Sequence, residues 1–308
     1  MQPAKSQVEE STTDSKPRIE SLLKAVARQP QSLLMLDYDG TIAPFRRERN
    51  QAFPYPGFAA IIEEIARCGR THVVIISGRD ATEIVPLLDV KPRLEIWGLH
   101  GLQRLRADGS AEVSALDEST IEALTDAEHW LRCQRLQDVA EFKTGSVAVH
   151  WRGLSEEDAE LIRERVLLGW KPIAKYTKLN LLEFDGGVEI RSCKTDKGTA
   201  VRALLSEMDS ETPAAYLGDD TTDESAFQAI NGRGLSILVR PRYRATAAEA
   251  WLKPPDEVFD LLQRWLKASK SCPSASYEKE SRKELRGESM SAATVRAKQG
   301  EAPTFISA

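Results

Sequence analysis

Residues 33–36, Leu-Leu-Met-Leu, run straight into Asp37-Tyr38-Asp39-Gly40-Thr41. An apolar run this short reads as a buried strand, and a strand that ends on paired acids constrains what can be built around it. In an extended chain, residues two apart face the same way, so Asp37 and Asp39 converge at the strand tip. Gly40 frees the backbone for a sharp turn, and Thr41 adds a hydroxyl. Two carboxylates this close repel, and a divalent cation or a shared proton is what holds such a pair together. A calcium loop centred on Gly40 would need an oxygen ligand at Met35 and a glutamate at Arg46. Neither is there. On its own the run leaves a plain turn and a catalytic site both open.

Three later runs repeat the pattern. Residues 73–76 are Val-Val-Ile-Ile and lead into Ser77-Gly78-Arg79, a hydroxyl, a permissive glycine and a guanidinium that suit a phosphate. Lys197-Gly198-Thr199 opens an amphipathic stretch and places an ammonium at a helix start. Residues 214–217 end on Gly218-Asp219-Asp220-Thr221-Thr222-Asp223-Glu224, an acidic cluster. Between these runs, helical patterns at 57–68 and beyond Asp80 to Leu88, the latter interrupted by Pro86, alternate with strands at 71–76 and 94–97. That alternation predicts a parallel sheet with helices on both faces, whose ligands sit at the carboxyl ends of strands. The middle differs. Strands at 141–144 and 146–151 flank Gly145, a strand over 176–184 leads through Gly186-Gly187 into 188–191, and helices fit 117–133 and 155–168.

These residues resemble the trehalose-6-phosphate phosphatase family of the haloacid dehalogenase superfamily. The resemblance spans roughly 18–268. It rests on Leu36-Asp37-Tyr38-Asp39-Gly40-Thr41-Ile42-Ala43-Pro44, Gly98-Leu99-His100-Gly101, His150-Trp151-Arg152, Glu189-Ile190-Arg191, Lys197-Gly198, and Gly218-Asp219-Asp220-Thr221-Thr222-Asp223-Glu224-Ser225-Ala226-Phe227. It implies an α/β fold: a Rossmann-like core of parallel sheet with helices on both faces at 18–101 and 189–268, plus an inserted α/β cap at 102–188. It implies a Mg²⁺-dependent phosphatase that releases trehalose and phosphate from trehalose 6-phosphate through an aspartyl-phosphate, with a trehalose-6-phosphate synthase as a candidate partner.

The resemblance also distributes roles. Asp37 would be the nucleophile. Asp39 would give a proton to the leaving oxygen and later take one from water. Asp37 and Asp219 would hold Mg²⁺ with the Asp39 carbonyl, and Asp223 would orient a metal-bound water or Lys197 from behind. Asp220 stays open between that site and a helix N-cap. Lys197 would neutralise phosphoryl oxygens, which Thr41, Ser77 and the Gly78 backbone would hydrogen-bond. Arg79 stays open between substrate and a core carboxylate. Strand alternation puts His150 with Arg152, and Glu189 with Arg191, on one face each. Taken alone these read as exposed cross-strand ion pairs. With the resemblance, Arg152 and Glu189 become sugar contacts, joined by His150 and Arg191. His100, between core and cap, either touches substrate or fixes the hinge.

Two departures bear on the sugar. Where the family carries Gly-Lys ahead of Glu-x-Arg, this chain has Gly186-Gly187, and where a proline follows the arginine it has Ser192-Cys193. Lys143, Lys175 or Lys178 are candidates for the missing cation. Sucrose-, mannosyl- or glucosyl-glycerate phosphates are therefore alternative substrates. A non-catalytic sugar-phosphate sensor, or a regulatory subunit of a synthase complex, is the rival class.

Composition fits this picture. With 41% hydrophobic residues in 308, the chain can bury cores, and its net charge of −5 gives no footprint for nucleic acid. Cys68, Cys133, Cys193 and Cys272 show no metal-binding spacing and read as free thiols of a reducing compartment. No run approaches the ~20 apolar residues of a membrane span, and the start lacks the apolar core of a signal peptide. A cytoplasmic location is expected. Residues 1–17 and 269–308 are polar enough to predict disorder, with a weak helical pattern at 277–285.

Overall fold

The computed structural model describes residues 15–46, 48–184 and 186–271. Most of the two stretches expected to be disordered lies outside these residues. Apart from Ser271, what is described of them is helical. Helix α1, Ser15–Arg28, takes in the last three residues of the first stretch because Ile19, Leu22, Leu23 and Val26 recur at helical spacing and bury. The last helix, Asp256–Lys270, likewise runs past 268.

Strands β1 (Ser32–Leu36), β2 (Thr71–Ile76) and β3 (Glu95–Gly98) alternate with helices α2 (Phe58–Arg67) and α3 (Ala81–Leu88). Two short strands follow, β4 (Gln103–Leu105) and β5 (Ala111–Val113). Next come α4 (Glu118–Cys133), β6 (Ala140–Lys143), β7 (Ser146–His150), α5 (Glu156–Tyr176), β8 (Leu179–Phe184) and β9 (Gly187–Ser192). The chain ends with α6 (Lys197–Ser206), β10 (Ala214–Gly218), α7 (Glu224–Ile230), β11 (Leu235–Val239), β12 (Ala250–Leu252) and α8 (Asp256–Lys270).

Eight strands form one sheet in the order β12-β11-β10-β1-β2-β3-β4-β5, parallel from β12 to β3. Its inner strands are apolar on both faces, as a sheet covered twice must be. Leu34, Leu36, Val73 and Ile75 pack under α1, α2, α3 and α8, while Leu33, Met35, Val74, Ile76 and Tyr216 pack under α6 and α7.

The remaining strands form a separate antiparallel sheet, β6-β7-β9-β8. One face, with Val147, Val149, Val188 and Ile190, is buried under α4 and α5 through Ala127, Leu131, Val166 and Trp170. The register pairs Lys143 with Ser146, Glu141 with Ala148, Ser146 with Arg191 and Ala148 with Glu189. Glu141, Lys143, Ser146, His150, Glu189 and Arg191 therefore share the other face.

Two boundaries differ from the sequence reading. The large sheet does not stop at 101, because β4 and β5 fold back on β3 as antiparallel additions. The small sheet does not stop at 188, because β9 pairs with β7 through Arg191. Helix α5 also extends to Tyr176 with Pro172 inside it, carried past the expected end by Trp170, which is fully buried against α4. Among the described residues no helix is long and apolar enough to cross a membrane.

Candidate active site

Strands β1 and β10 are neighbours in register, Leu36 beside Leu217, so the residues that follow them, Asp37 and Asp219, emerge side by side. Lys197 is the first residue of α6, a helix start fixed by a capping box between Asp196 and Thr199. Its Nζ donates to Asp37 Oδ1 and to Asp223 Oδ1, each at 2.7 Å. Asp223 also accepts from the Tyr216 hydroxyl and from the backbone N–H groups of Asp219 (3.0 Å) and Asp220 (2.9 Å). These bonds make Asp223 a brace for Lys197 and for the chain that carries Asp219. Asp220 caps the short 3₁₀ turn Thr221–Asp223, accepting from Thr221 N at 2.7 Å, and it also lines the cavity above. Gly40, at φ 84°, leaves room for the Asp219 carboxylate, which a Cβ there would strike.

The cluster is short of positive charge. Ligand atoms of Asp37, Asp219 and Asp223 lie within 4.8 Å of one another, with one ammonium among them. Burial pushes the Asp37 carboxyl up to about 7, Lys197 opposing and Asp223 adding to the rise. Burial and the charges of Asp37, Asp223 and Asp220 push Asp219 well above the carboxylate range. Burial alone would strip the proton from Lys197, but Asp223 and Asp37 hold it above the ordinary lysine value. No described residue donates a hydrogen bond to the Asp219 carboxylate. Hard oxygen donors with surplus negative charge and unused lone pairs fit a magnesium ion.

Next to this floor, Ser77 is buried at the tip of β2, and its Oγ accepts from Arg79 N at 3.2 Å. Arg79, which also lines the cavity, pairs with a carboxylate, that of Asp39. Arg79 Nε donates to Oδ2 at 2.6 Å and its Nη2 to Oδ1 at 2.7 Å. Its remaining amino group donates to the Arg49 carbonyl at 2.8 Å. Thr41 is not among the residues that line the cavity. The chain turns inward after Gly40, Asp39 bridging to Ala43, so Thr41 is fully buried and its hydroxyl has no partner among the described residues.

A cavity of about 510 Å³ separates this floor from the polar face of the small sheet, within the ~300–1,000 Å³ usual for ligand sites. Asp37, Asp39, Ser77, Gly78, Lys197 and Asp219 line it below, and Glu141, Lys143, His150, Arg152 and Glu189 above. Glu189 is not an exposed cross-strand acid: it is 2% exposed. It accepts from Ser146 Oγ at 2.8 Å and from Lys143 Nζ at 3.4 Å, and its Oε2 lies 3.1 Å from His100 Nε2. Burial would raise its carboxyl, but His100, Lys143 and Arg191 hold it well below the usual range. Of the three lysines considered as replacements, Lys143 is the one beside Glu189. Arg152 lies 4.0 Å over the Phe45 ring. Arg191 is buried behind Glu189, its Nη1 at 3.9 Å, and does not line the cavity.

The sequence reading missed Glu141, Arg49 and the two phenylalanines of the cavity. Glu141 accepts from His150 Nε2 at 2.9 Å and pairs with Lys143, at 3.3 Å, and with Arg49. Burial notwithstanding, His150, Lys143 and Arg49 hold its carboxyl at about 2. The period-two alternation of β6 places Glu141 with Lys143 and was a usable signal. Arg49, Phe45 and Phe184 carry no such signal.

The family model described as Trehalose-phosphatase matches residues 35–252. The "Probable trehalose-phosphate phosphatase D" of Arabidopsis thaliana is 28% identical over 252 residues, which cover 76% of this chain and 67% of that protein. The "Trehalose-phosphate phosphatase" of Mycobacterium marinum is 28% identical over 247 residues, 76% of this chain and 61% of that one. Among solved structures, the C-terminal domain of C. albicans trehalose-6-phosphate phosphatase superposes with a TM-score of 0.70 at 20% identity, covering 82% of this chain and 96% of that chain. A haloacid dehalogenase-like hydrolase from B. subtilis superposes with a TM-score of 0.54 at 14% identity, covering 76% and 99%. At these identities the superpositions show the shared fold.

Proposed function

We propose that this chain, which belongs to the trehalose-phosphatase family, hydrolyses trehalose 6-phosphate to trehalose and inorganic phosphate. As a family member it is a phosphatase. The observation that carries the finer reading is Lys197, whose ammonium joins Asp37 to Asp223 beside Asp219 on the floor of a cavity roofed by Glu189.

Asp37 is the nucleophile in this reading. Its carboxylate attacks phosphorus, forming an aspartyl-phosphate, and the P–O bond to the sugar breaks with its electron pair going to the sugar oxygen. Asp39 gives that oxygen its proton, then takes one from the water that cleaves the aspartyl-phosphate. The two-pronged Arg79 pair occupies both oxygens of Asp39, so donation requires Asp39 to shed a prong. Asp37 and Asp219, with the carbonyl of Asp39, would hold a magnesium ion, which when bound supplies charge to offset the phosphate. Lys197 keeps Asp37 in place, and Ser77 with the Gly78 backbone binds the phosphoryl group. The small sheet acts as a cap that excludes water. Glu189 and Lys143 bind sugar hydroxyls there, with His150 and Arg152 beside them.

Phosphate release from trehalose 6-phosphate, with and without chelator, tests this directly. Fast release that the chelator stops is expected. Gly186-Gly187 favours a second reading, the same chemistry on a sucrose-, mannosyl- or glucosyl-glycerate phosphate, and faster release from one of these esters would select it. A chain with no release from any of them is a sensor.

A further inference from the structure

Leu99, His100 and Gly101 all have positive φ, at 51°, 54° and 92°. Two of these carry a Cβ, and left-handed backbone strains such residues, a feature that gathers at functional sites. The turn is pinned to the phosphoryl side of the cavity. Leu99 N donates to Arg79 O at 2.8 Å and His100 N to Ser77 O at 3.0 Å. The strain is therefore held in place by the loop that carries Ser77, Gly78 and Arg79.

What this turn presents is an imidazole between two working parts of the cavity. On one side the ring lies on the Gly78 backbone, so closely that a Cβ at 78 would stand 2.5 Å from its Cε1 and Nε2. On the other side Nε2 is 3.1 Å from Glu189 Oε2. Glu189 cannot drift from the ring, because Ser146 and Lys143 hold its second oxygen. The ring is 8% exposed as a residue, and Nδ1 is buried with no partner among the described residues. Burial pushes His100 down to about 4, against the pull of Glu189. Near neutral pH the ring therefore carries one proton, and the facing carboxylate places it on Nε2. The Nε2 proton is then turned to Glu189 and the one unused group of the ring, Nδ1, is buried, so Glu189 is the acid that faces the cavity.

The geometry points to His100 as a positioning residue, an imidazole strut that fixes the separation between the phosphoryl-binding turn at Ser77-Gly78 and the sugar-binding carboxylate of Glu189. It makes hydrolysis selective for an ester whose sugar meets Glu189 while its phosphate rests on that turn. This rests on the phosphatase reading above and adds what sets its discrimination.

Two substrates and two variants separate the possibilities. The sugar ester needs both ends of the strut, whereas p-nitrophenyl phosphate uses the turn and leaves Glu189 idle. His100→Asn keeps a side chain that tolerates left-handed backbone but stops short of Glu189. His100→Gln reaches Glu189 but lacks that tolerance and the stiffness of the ring. With His100→Asn, kcat/KM on trehalose 6-phosphate should fall relative to kcat/KM on p-nitrophenyl phosphate by ~10–100-fold, with Gln restoring part of the ratio. Equal loss on both substrates, or an unchanged ratio, overturns the proposal. Should the wild type cleave the aryl ester but no sugar ester, the phosphatase reading itself has the wrong substrate, and that is seen before any variant is made. The wild type supplies an independent check. With four histidines in the chain, nitrogen shifts after ¹⁵N-histidine labelling should show one ring fixed as the Nε2–H tautomer and still neutral at pH 5. A full set of rings that titrate near pH 6.5 overturns the proposal even if no variant folds.

Discussion

Asp37 and Asp219 stand on the floor of the cavity with a single ammonium among three acids, whereas Glu141 and Glu189 on the roof each meet several cationic or donor groups. The residue types are alike, and Glu189 is as buried as the floor acids while Glu141 is half-buried. Yet the floor carboxyls are pushed up, Asp37 to about 7, while Glu141 is held at about 2 and Glu189 well below the carboxylate range. The difference lies in pairing. Burial without enough opposite charge disfavours ionisation, and burial with it favours ionisation. The floor thus keeps surplus negative charge, which the proposed function assigns to a cation, and the roof acids are already paired, which suits the hydroxyls that it assigns to them. In the proposed function, the same cavity keeps its charge chemistry and its recognition on separate elements.

The largest effect should come from the floor and should ignore the substrate. Asp37→Asn, and separately Lys197→Met, are expected to lower kcat by at least ~10⁴-fold on trehalose 6-phosphate and on p-nitrophenyl phosphate alike, measured as phosphate release. A loss confined to the sugar ester would move these residues to the recognition side and break the comparison. Glu189→Gln should do the reverse. It removes a charged acceptor from the sugar, so kcat/KM on the sugar ester should fall ~10–100-fold, well beyond any change on the aryl ester.

The same division explains what the sequence disclosed. A strand tip carries its chemistry within a few residues, so Asp37, Asp39, Ser77, Asp219 and Asp223 were legible as runs, and a helix start exposed Lys197. The structure brings Asp37, Lys197, Asp219 and Asp223 together. The roof is assembled by antiparallel register, across β6, β7 and β9, which no local run records. Alternation placed Glu189 and His150 on cavity-facing positions but also Arg191, which the depth of the sheet leaves behind Glu189. Arg49 and Phe45 reach the cavity from an irregular loop, where no period operates. Thr41 turned inward because the bend at Gly40 is tighter than a strand extension implies. The β4–β5 hairpin looked like the insert because an antiparallel strand gives no sign of which sheet edge it will extend.

Opposite pairing predicts opposite pH dependence of stability. In chelated protein, Asp37 and Asp219 keep protons that the unfolded chain has released, so the folded state binds more protons between about pH 4 and 7. Stability then falls as pH rises through that window. Added Mg²⁺ should restore it, and Asp219→Asn should flatten it. Glu141 has the other sign. Its folded value of about 2 lies below the ordinary glutamate value of 4.5, so its contribution is complete above about pH 4.5 and is lost as pH falls toward 2. Melting temperatures of wild type and Glu141→Gln should converge at the acid end. Curves of the same sign for the two variants would mean that floor and roof are paired alike.

The smallest effect tests whether the roof can be disturbed alone. Gly169 lies in α5 against the Trp130 ring of α4, and a Cβ at 169 would run into that ring. Trp130 packs at the margin of the cluster that holds the apolar face of the small sheet. Gly169→Ala gains about 1 kcal/mol of helix propensity but forces overpacking that costs roughly 1–3 kcal/mol. The net is a loss of up to ~2 kcal/mol, which for a chain of this size lowers the melting temperature by a few degrees, ~2–4 °C for each kcal/mol. The strain enters through the helices behind the sheet, and Asp37, Lys197 and Asp219 belong to the other sheet. Turnover of p-nitrophenyl phosphate should therefore stay near wild type while KM for the sugar ester rises modestly. A matching fall on the aryl ester would show that the seating of the small sheet also sets the geometry of the floor, and the separation drawn between them would have to be given up.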